Sequence, residues 1–332
     1  MLLQLDTDRE HLVLGALRQV ATAHGADPLS EIDASLLVAV HHLVFGRAEP
    51  IDLDALPSPA PATLAEGLRG TEVHSDVAKC CVVAALTDGV IDADRLILAT
   101  VYADALGVHG GFVEDAAALA HGEVQFAMGD MLRRNVESFV NGPATVNPEA
   151  WIHPYTQRPN PELNERYRAL ASSREGTLGH AFFHWYDDHG FAFPGVPEAL
   201  SEEFSTPHDT AHLLSGYDTT QQGELLVSTF TSALHRRDSM AAHVMPVILS
   251  WHVGLALNSV AGASHHAFDP PKFFKAWERG HRTTLDVFAR DWNFWDHVDT
   301  PLDELRATAH VPPLEPQYAA NAPDDEGYEP IA

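Results

Sequence analysis

Cysteine is nearly absent: the 332 residues contain two, adjacent at Cys80 and Cys81 in an apolar run. Neighbouring helical residues point about 100° apart, so the pair reads as two reduced, buried small side chains with no disulfide framework. Basic residues are scarce too. Twenty Lys and Arg face 47 Asp and Glu, a net charge of −27. That balance argues against nucleic acid as a partner, and against electrostatic docking on an anionic leaflet, because both need a basic surface. No apolar run approaches the roughly 18 residues of a membrane span. The opening residues, Met1 to Asp6, lack the basic region and apolar stretch of a secretory signal. Alternating strand patterns and hairpin signals are missing as well. The expectation is a soluble, cytoplasmic, all-α protein without a transmembrane segment.

What is present reads as helix after helix. Residues 8–46 predict two helices, the first ended by His24-Gly25-Ala26-Asp27-Pro28, the second opened by Ser30 with Asp33 three residues on. A Pro-rich loop spans Pro50 to Pro61. Residues 72–107 repeat the pair, with a stop at Thr87-Asp88-Gly89, Asp92 as the next cap and Gly107 as the last stop. Helices near 112–120 and 123–140 complete a first bundle. Prolines punctuate 143–160, which is expected to be a linker. The second bundle is expected over 161–311. It holds a helix at 161–173, an aromatic and His-rich one at 177–189, a long apolar one at 239–257 bent by Pro246, one from Asp269 through Ala289, and a short last one. Residues 312–332, rich in Pro and acid, are expected to be a disordered tail.

The stretch Thr206-Pro207-His208-Asp209-Thr210-Ala211-His212 stands out. Residues at i and i+4 share a helix face, so His208 and His212 stack. Pro207 predicts the first helical position. Ser215-Gly216-Tyr217-Asp218 predicts a stop and turn, after which Glu224 would return in the first turn of the next helix. His208, Asp209, His212 and Glu224 would then converge from two neighbouring helices, as metal ligands do in bundles. Two imidazoles with one or two carboxylates suit zinc first, and also iron or manganese. Asp209 is either a ligand or the acceptor that fixes a ligating imidazole. His243 and His252, on the apolar helix, are further candidates, though a lone His there is more often a satisfied core residue.

The same residues carry a resemblance. His208-Asp209-Thr210-Ala211-His212, eleven residues and Glu224 resemble the HDxxH-x(11)-E signature of the Coq-four family of ubiquinone-biosynthesis proteins. Leu213 to Thr220, Gly223-Glu224-Leu225, Trp277-Glu278-Arg279-Gly280, Trp292 and Pro301 to Arg306 extend it over the second half. The resemblance implies a metal-dependent role in coenzyme Q biosynthesis: oxidative replacement of the ring carboxylate of a prenylated precursor by hydroxyl, or lipid-binding organisation of the biosynthetic enzymes. It makes a prenylated lipid or quinone precursor, those enzymes and a second copy of the chain the expected partners, at a site that can lie peripheral to a membrane. Leu213, Leu214, Leu225, Val244, Val247, Ile248 and Trp251 would line an apolar groove, or equally a bundle core. An HD-type phosphohydrolase is a third reading; it would enlist His184 and Asp238, and the spacing fits it less well. The first third, 1–142, resembles the TerB-like (tellurite-resistance) domain through Ala84 to Asp92 and Ala105-Leu106-Gly107. That resemblance implies metal-binding acids at the turns, here Asp27, Glu31, Asp88 and Asp92. Turn and cap duty is the preferred reading of the last two.

Overall fold

The computed structural model describes residues 3–140, 158–235, 237–256 and 263–320. Among them the fold is all-α: fourteen α-helices and no strand. Local cap chemistry sets many of the helix starts. Asp6 opens α1 (Thr7–Ala21), Ser30 opens α2 (Glu31–Ala39), and Asp92 opens α5 (Ala93–Ala105) by accepting from the Arg95 amide at 2.9 Å. Between them lie α3 (Pro61–Gly67) and α4 (His74–Leu86). The Pro50–Pro61 loop thus ends in a helix that the sequence reading passed over, because Pro61 sits at its first position, where a missing N–H costs nothing. Helices α6 (Phe112–Ala120) and α7 (Val124–Phe139) close this half. Cys80 and Cys81 are buried and unbridged in α4, and burial raises both thiols, Cys80 to about 12.

The turns of this half are held by an internal cation. Arg95, buried, reaches Asp88 at 2.7 Å, Asp27 at 3.6 Å and Asp33 at 3.7 Å. Asp92 caps, as preferred, and Glu31 is exposed.

The second half runs α8 (Pro161–Arg168), α9 (Leu178–His189), α10 (Glu202–Ser215), α11 (Gln221–Leu234), α12 (Met245–Trp251), α13 (Pro270–Arg282) and α14 (Leu302–Thr308). Three expectations about these helices are corrected. Helix α10 begins at Glu202, so Pro207 is inside it rather than at its start. Phe204 explains the earlier start: it packs on Phe139 and on His208, with ring centroids 5.0 and 5.3 Å away. The apolar segment at 239–257 is not one long helix but a π-turn, Met240–Val244, leading into α12, which ends at Trp251. Pro246 has no N–H for residue 242, and the wider turn, closed from Met245 N to Met240 O, absorbs the mismatch. Helix α13 stops at Arg282, seven residues short, because Thr283 turns extended and Thr284 donates to Ala309 O at 2.8 Å.

The two halves contribute to one continuous cluster of buried side chains. Helix α13 packs against α11 and also against α2, while α7 packs on the π-turn before α12. His252 and His243 are satisfied core residues. His252 Nε2 lies 2.8 Å from Thr87 O, and His243 Nε2 lies 2.8 Å from Ser138 Oγ. Residues 143–157 of the expected linker and 321–332 of the expected tail lie outside the described residues. Residues 312–320 of that tail are packed: Pro312 O accepts from Arg279, Glu315 pairs with Lys275 at 2.8 Å, and Pro316–Tyr318 forms a 3-10 turn. No helix among the described residues is long and apolar enough to cross a membrane.

Candidate metal centre

Helices α10 and α11 meet at a tight reversal. Gly216 closes α10 in the left-handed conformation and donates to His212 O at 2.7 Å. Thr220 opens α11 by accepting from Gly223 N at 3.0 Å, and Asp218 Oδ1 accepts from both the amide and the hydroxyl of Thr220. Gly223 has to be glycine. A Cβ there would lie 2.1 Å from Asp218 Oδ1 and 2.2 Å from Asp218 O. The turn therefore packs directly under the first turn of α11, and Glu224 follows at once.

This geometry brings together three of the four predicted residues. His208 Nε2 and His212 Nε2 are 3.2 Å apart. The nearest Glu224 oxygens lie 3.2 Å from His208 Nε2 and 3.3 Å from His212 Nε2. Among the described residues, these three form the group whose donor atoms could share a metal ion. His212 is buried under the Trp185 ring, with its Nδ1 3.0 Å from Tyr217 O. That carbonyl can only accept, so Nδ1 carries a proton and the Nε2 of a neutral ring presents a lone pair to the cluster. His208 is partly exposed and stacks on Phe204.

The charges are balanced locally. Burial by itself would raise the Glu224 carboxyl. The His212 charge and hydrogen bonds from His208 and His212 outweigh it, holding the group well below the ordinary carboxylate range. Burial opposes charge on His212, but the Glu224 carboxylate, Asp209 and the Tyr217 carbonyl raise its affinity for a proton. Lone pairs and a carboxylate facing one point require positive charge between them, either protons or a metal.

Asp209 does not join the three. Its Oδ2 accepts from the buried Tyr186 hydroxyl at 2.6 Å, which ties α10 to α9. Burial raises its carboxyl despite the two nearby imidazoles and that hydrogen bond. The acceptor that orients His212 is therefore the Tyr217 carbonyl, which no residue-type reading could single out. Tyr186 had a signal, lying in the aromatic stretch of α9, where Phe182 and Tyr186 are core and His184 is exposed. Asp238 is exposed near Arg134, and neither it nor His184 belongs to the convergent group. Of the seven apolar groove candidates, Leu213, Leu214, Leu225, Val244 and Ile248 are buried in the common core, while Val247 and Trp251 are half-buried.

No protein-family model and no curated protein matches the chain. A solved structure of a candidate ubiquinone biosynthesis protein from Nostoc punctiforme aligns over 72% of this chain and 97% of its own. The identity is 20% and the TM-score 0.28, a likeness too loose to carry a functional inference.

Proposed function

We propose that His208, His212 and Glu224 hold one divalent metal ion and that the chain works in quinone or prenyl-lipid metabolism, on a prenylated aromatic ring. One observation carries the metal reading: the two imidazole Nε2 atoms are 3.2 Å apart, and the Glu224 carboxylate faces both, with Oε2 3.2 Å from His208 and Oε1 3.3 Å from His212. Ligands about 2.1 Å from a tetrahedral ion sit about 3.4 Å apart, so the side chains are already spaced as neighbours in such a shell. The Nδ1 of His212 resting on a backbone carbonyl is the second support, since ligating imidazoles are oriented in this way. The substrate class rests on the resemblance of the His208 to Glu224 segment to the Coq-four signature.

Three protein donors leave positions open. Zinc there would polarise a carboxylate or activate water, whereas iron or manganese would add dioxygen chemistry. Exchanging a ring carboxylate for hydroxyl with loss of carbon dioxide is a two-electron oxidation, so it needs an external oxidant such as dioxygen. The metal's identity therefore separates a catalyst from a scaffold. The burial of five of the seven apolar groove candidates favours the second reading, in which the metal staples α10 to α11 and the chain binds or organises rather than reacts.

The test is metal analysis of the purified full-length protein. About one ion per chain is expected, lost in His212→Ala and in Glu224→Gln. Wild-type protein that takes up no zinc, iron or manganese after reconstitution ends the metal reading. Mass spectrometry of organic extracts should find a co-purifying prenyl lipid. Metal-free His212→Ala that still works as well as wild type in cells would leave the scaffold and remove the catalyst.

A further inference from the structure

The reversal that orients His212 is itself held from outside. Arg279, on α13, is 1% exposed. Its Nη2 donates to Ser215 O at 2.7 Å, and Nε and Nη2 donate to Pro312 O at 3.0 and 2.9 Å. The guanidinium carbon lies 5.1 Å from the centre of the Tyr217 ring. Arg306, on α14, takes the two preceding carbonyls, Leu213 O at 2.6 Å and Leu214 O at 3.3 Å. Two guanidiniums thus complete the C-terminus of α10, whose last carbonyls have no partner within the helix and carry its negative end. Only Arg279 also touches the residue whose carbonyl meets His212.

We propose that Arg279 is a positioning residue for the metal centre. By fixing Ser215 O and the Tyr217 ring together, it holds the Tyr217 carbonyl against Nδ1 of His212, and so keeps the tautomer that presents Nε2 to the cation. The inference rests on the metal reading above. The residue type is the one this task requires. A planar fork reaches acceptors on two separate segments while stacking beside a ring; a lysine ammonium is a point charge that does neither. Stability alone is a weak account of the residue. A buried charge carries a desolvation penalty, and Nη1 has no hydrogen-bond partner among the described residues.

The experiment measures zinc affinity of the full-length protein by competition with a chromophoric chelator. Wild type, Arg279→Lys and Arg279→Met are compared, with folding checked by circular dichroism. Both variants should bind zinc roughly 10- to 100-fold more weakly, the loss typical when the partner orienting a ligand is disturbed. In metal-free protein held alkaline enough to leave His212 neutral, the nitrogen-15 shifts of its ring should change from a single Nδ1–H form in wild type to a mixture in the variants. Should Arg279→Met fail to fold, Arg279→Lys, which keeps the charge, decides. Tyr102→Phe controls for stability: its hydroxyl donates to Pro59 O, remote from the centre in sequence and structure. Unchanged affinity in the Arg279 variants overturns the inference and leaves the metal reading standing. An equal loss in Tyr102→Phe also overturns it, by reducing the effect to general destabilisation. If wild type binds no zinc, or any other ion offered, the metal reading itself has failed.

Discussion

At the scale of single residues, a carboxyl buried outside the candidate centre is Asp115 on α6. It is fully buried, and neither oxygen has a hydrogen-bond partner among the described residues. Burial, and then the charge of Asp130, push it up to about 7, against the pull of Arg134. The direction sets the sign of its effect on stability. The folded-state value lies above the unfolded one, so the unfolded chain releases its proton first. Folding is unpenalised below about pH 4, increasingly penalised up to about pH 7, and penalised by a constant amount beyond. Asp115→Asn removes the ionisation while keeping the shape. It should stabilise the protein by roughly 1–3 kcal/mol at pH 8.5 and by clearly less at pH 5. Urea unfolding at the two values checks this; a gain independent of pH would mean that the carboxylate is not what costs.

At the scale of elements, the close approach is between α11 and α13. Gly280 faces α11 so tightly that a Cβ would lie 2.1 Å from Phe230 O. Gly280→Ala should therefore cost roughly 2 kcal/mol or more despite the better helix propensity of alanine, because backbone has to move. Chemical denaturation would show it, and a neutral or stabilising result would mean that the helices have slack there. Such contacts also mark the limit of what the chain declares about itself. Ser30 and Asp92 could be read as caps, and Asp269 as a helix start, because capping involves neighbours in sequence. The His208–His212–Glu224 convergence was legible for the same reason, being made by one reversal. The interior place of Pro207, the early stop of α13 and the turning of Asp209 toward Tyr186 were not. Each is decided by a partner far along the chain: Phe139, Ala309 and Tyr186. Arg279 belongs with them, since its acceptors lie on two other segments.

At the scale of the whole molecule, the sequence predicts two bundles, and the two halves share one cluster of buried side chains. Specific polar contacts cross between them as well. Asn135 Nδ2 donates to Ala242 O at 2.8 Å, Ser138 meets His243, and His252 meets Thr87. Buried polar pairs of this kind are costly to separate, because each half would be left with an unsatisfied group along with its exposed apolar surface. Cooperative unfolding follows, and the distribution of tryptophan makes it measurable. None of the six tryptophans lies within residues 1–142, and five of them, at 185, 251, 277, 292 and 295, lie in the second half, while helices fill both. Tryptophan fluorescence then reports one half, and far-ultraviolet circular dichroism reports the whole. The expected outcome is coincident transitions in urea with a single midpoint. A fluorescence transition displaced from the dichroism curve would mean that the halves unfold separately. The shared cluster would then be a contact between two independent bundles, and the scaffold of the candidate centre would stand without α2 and α7.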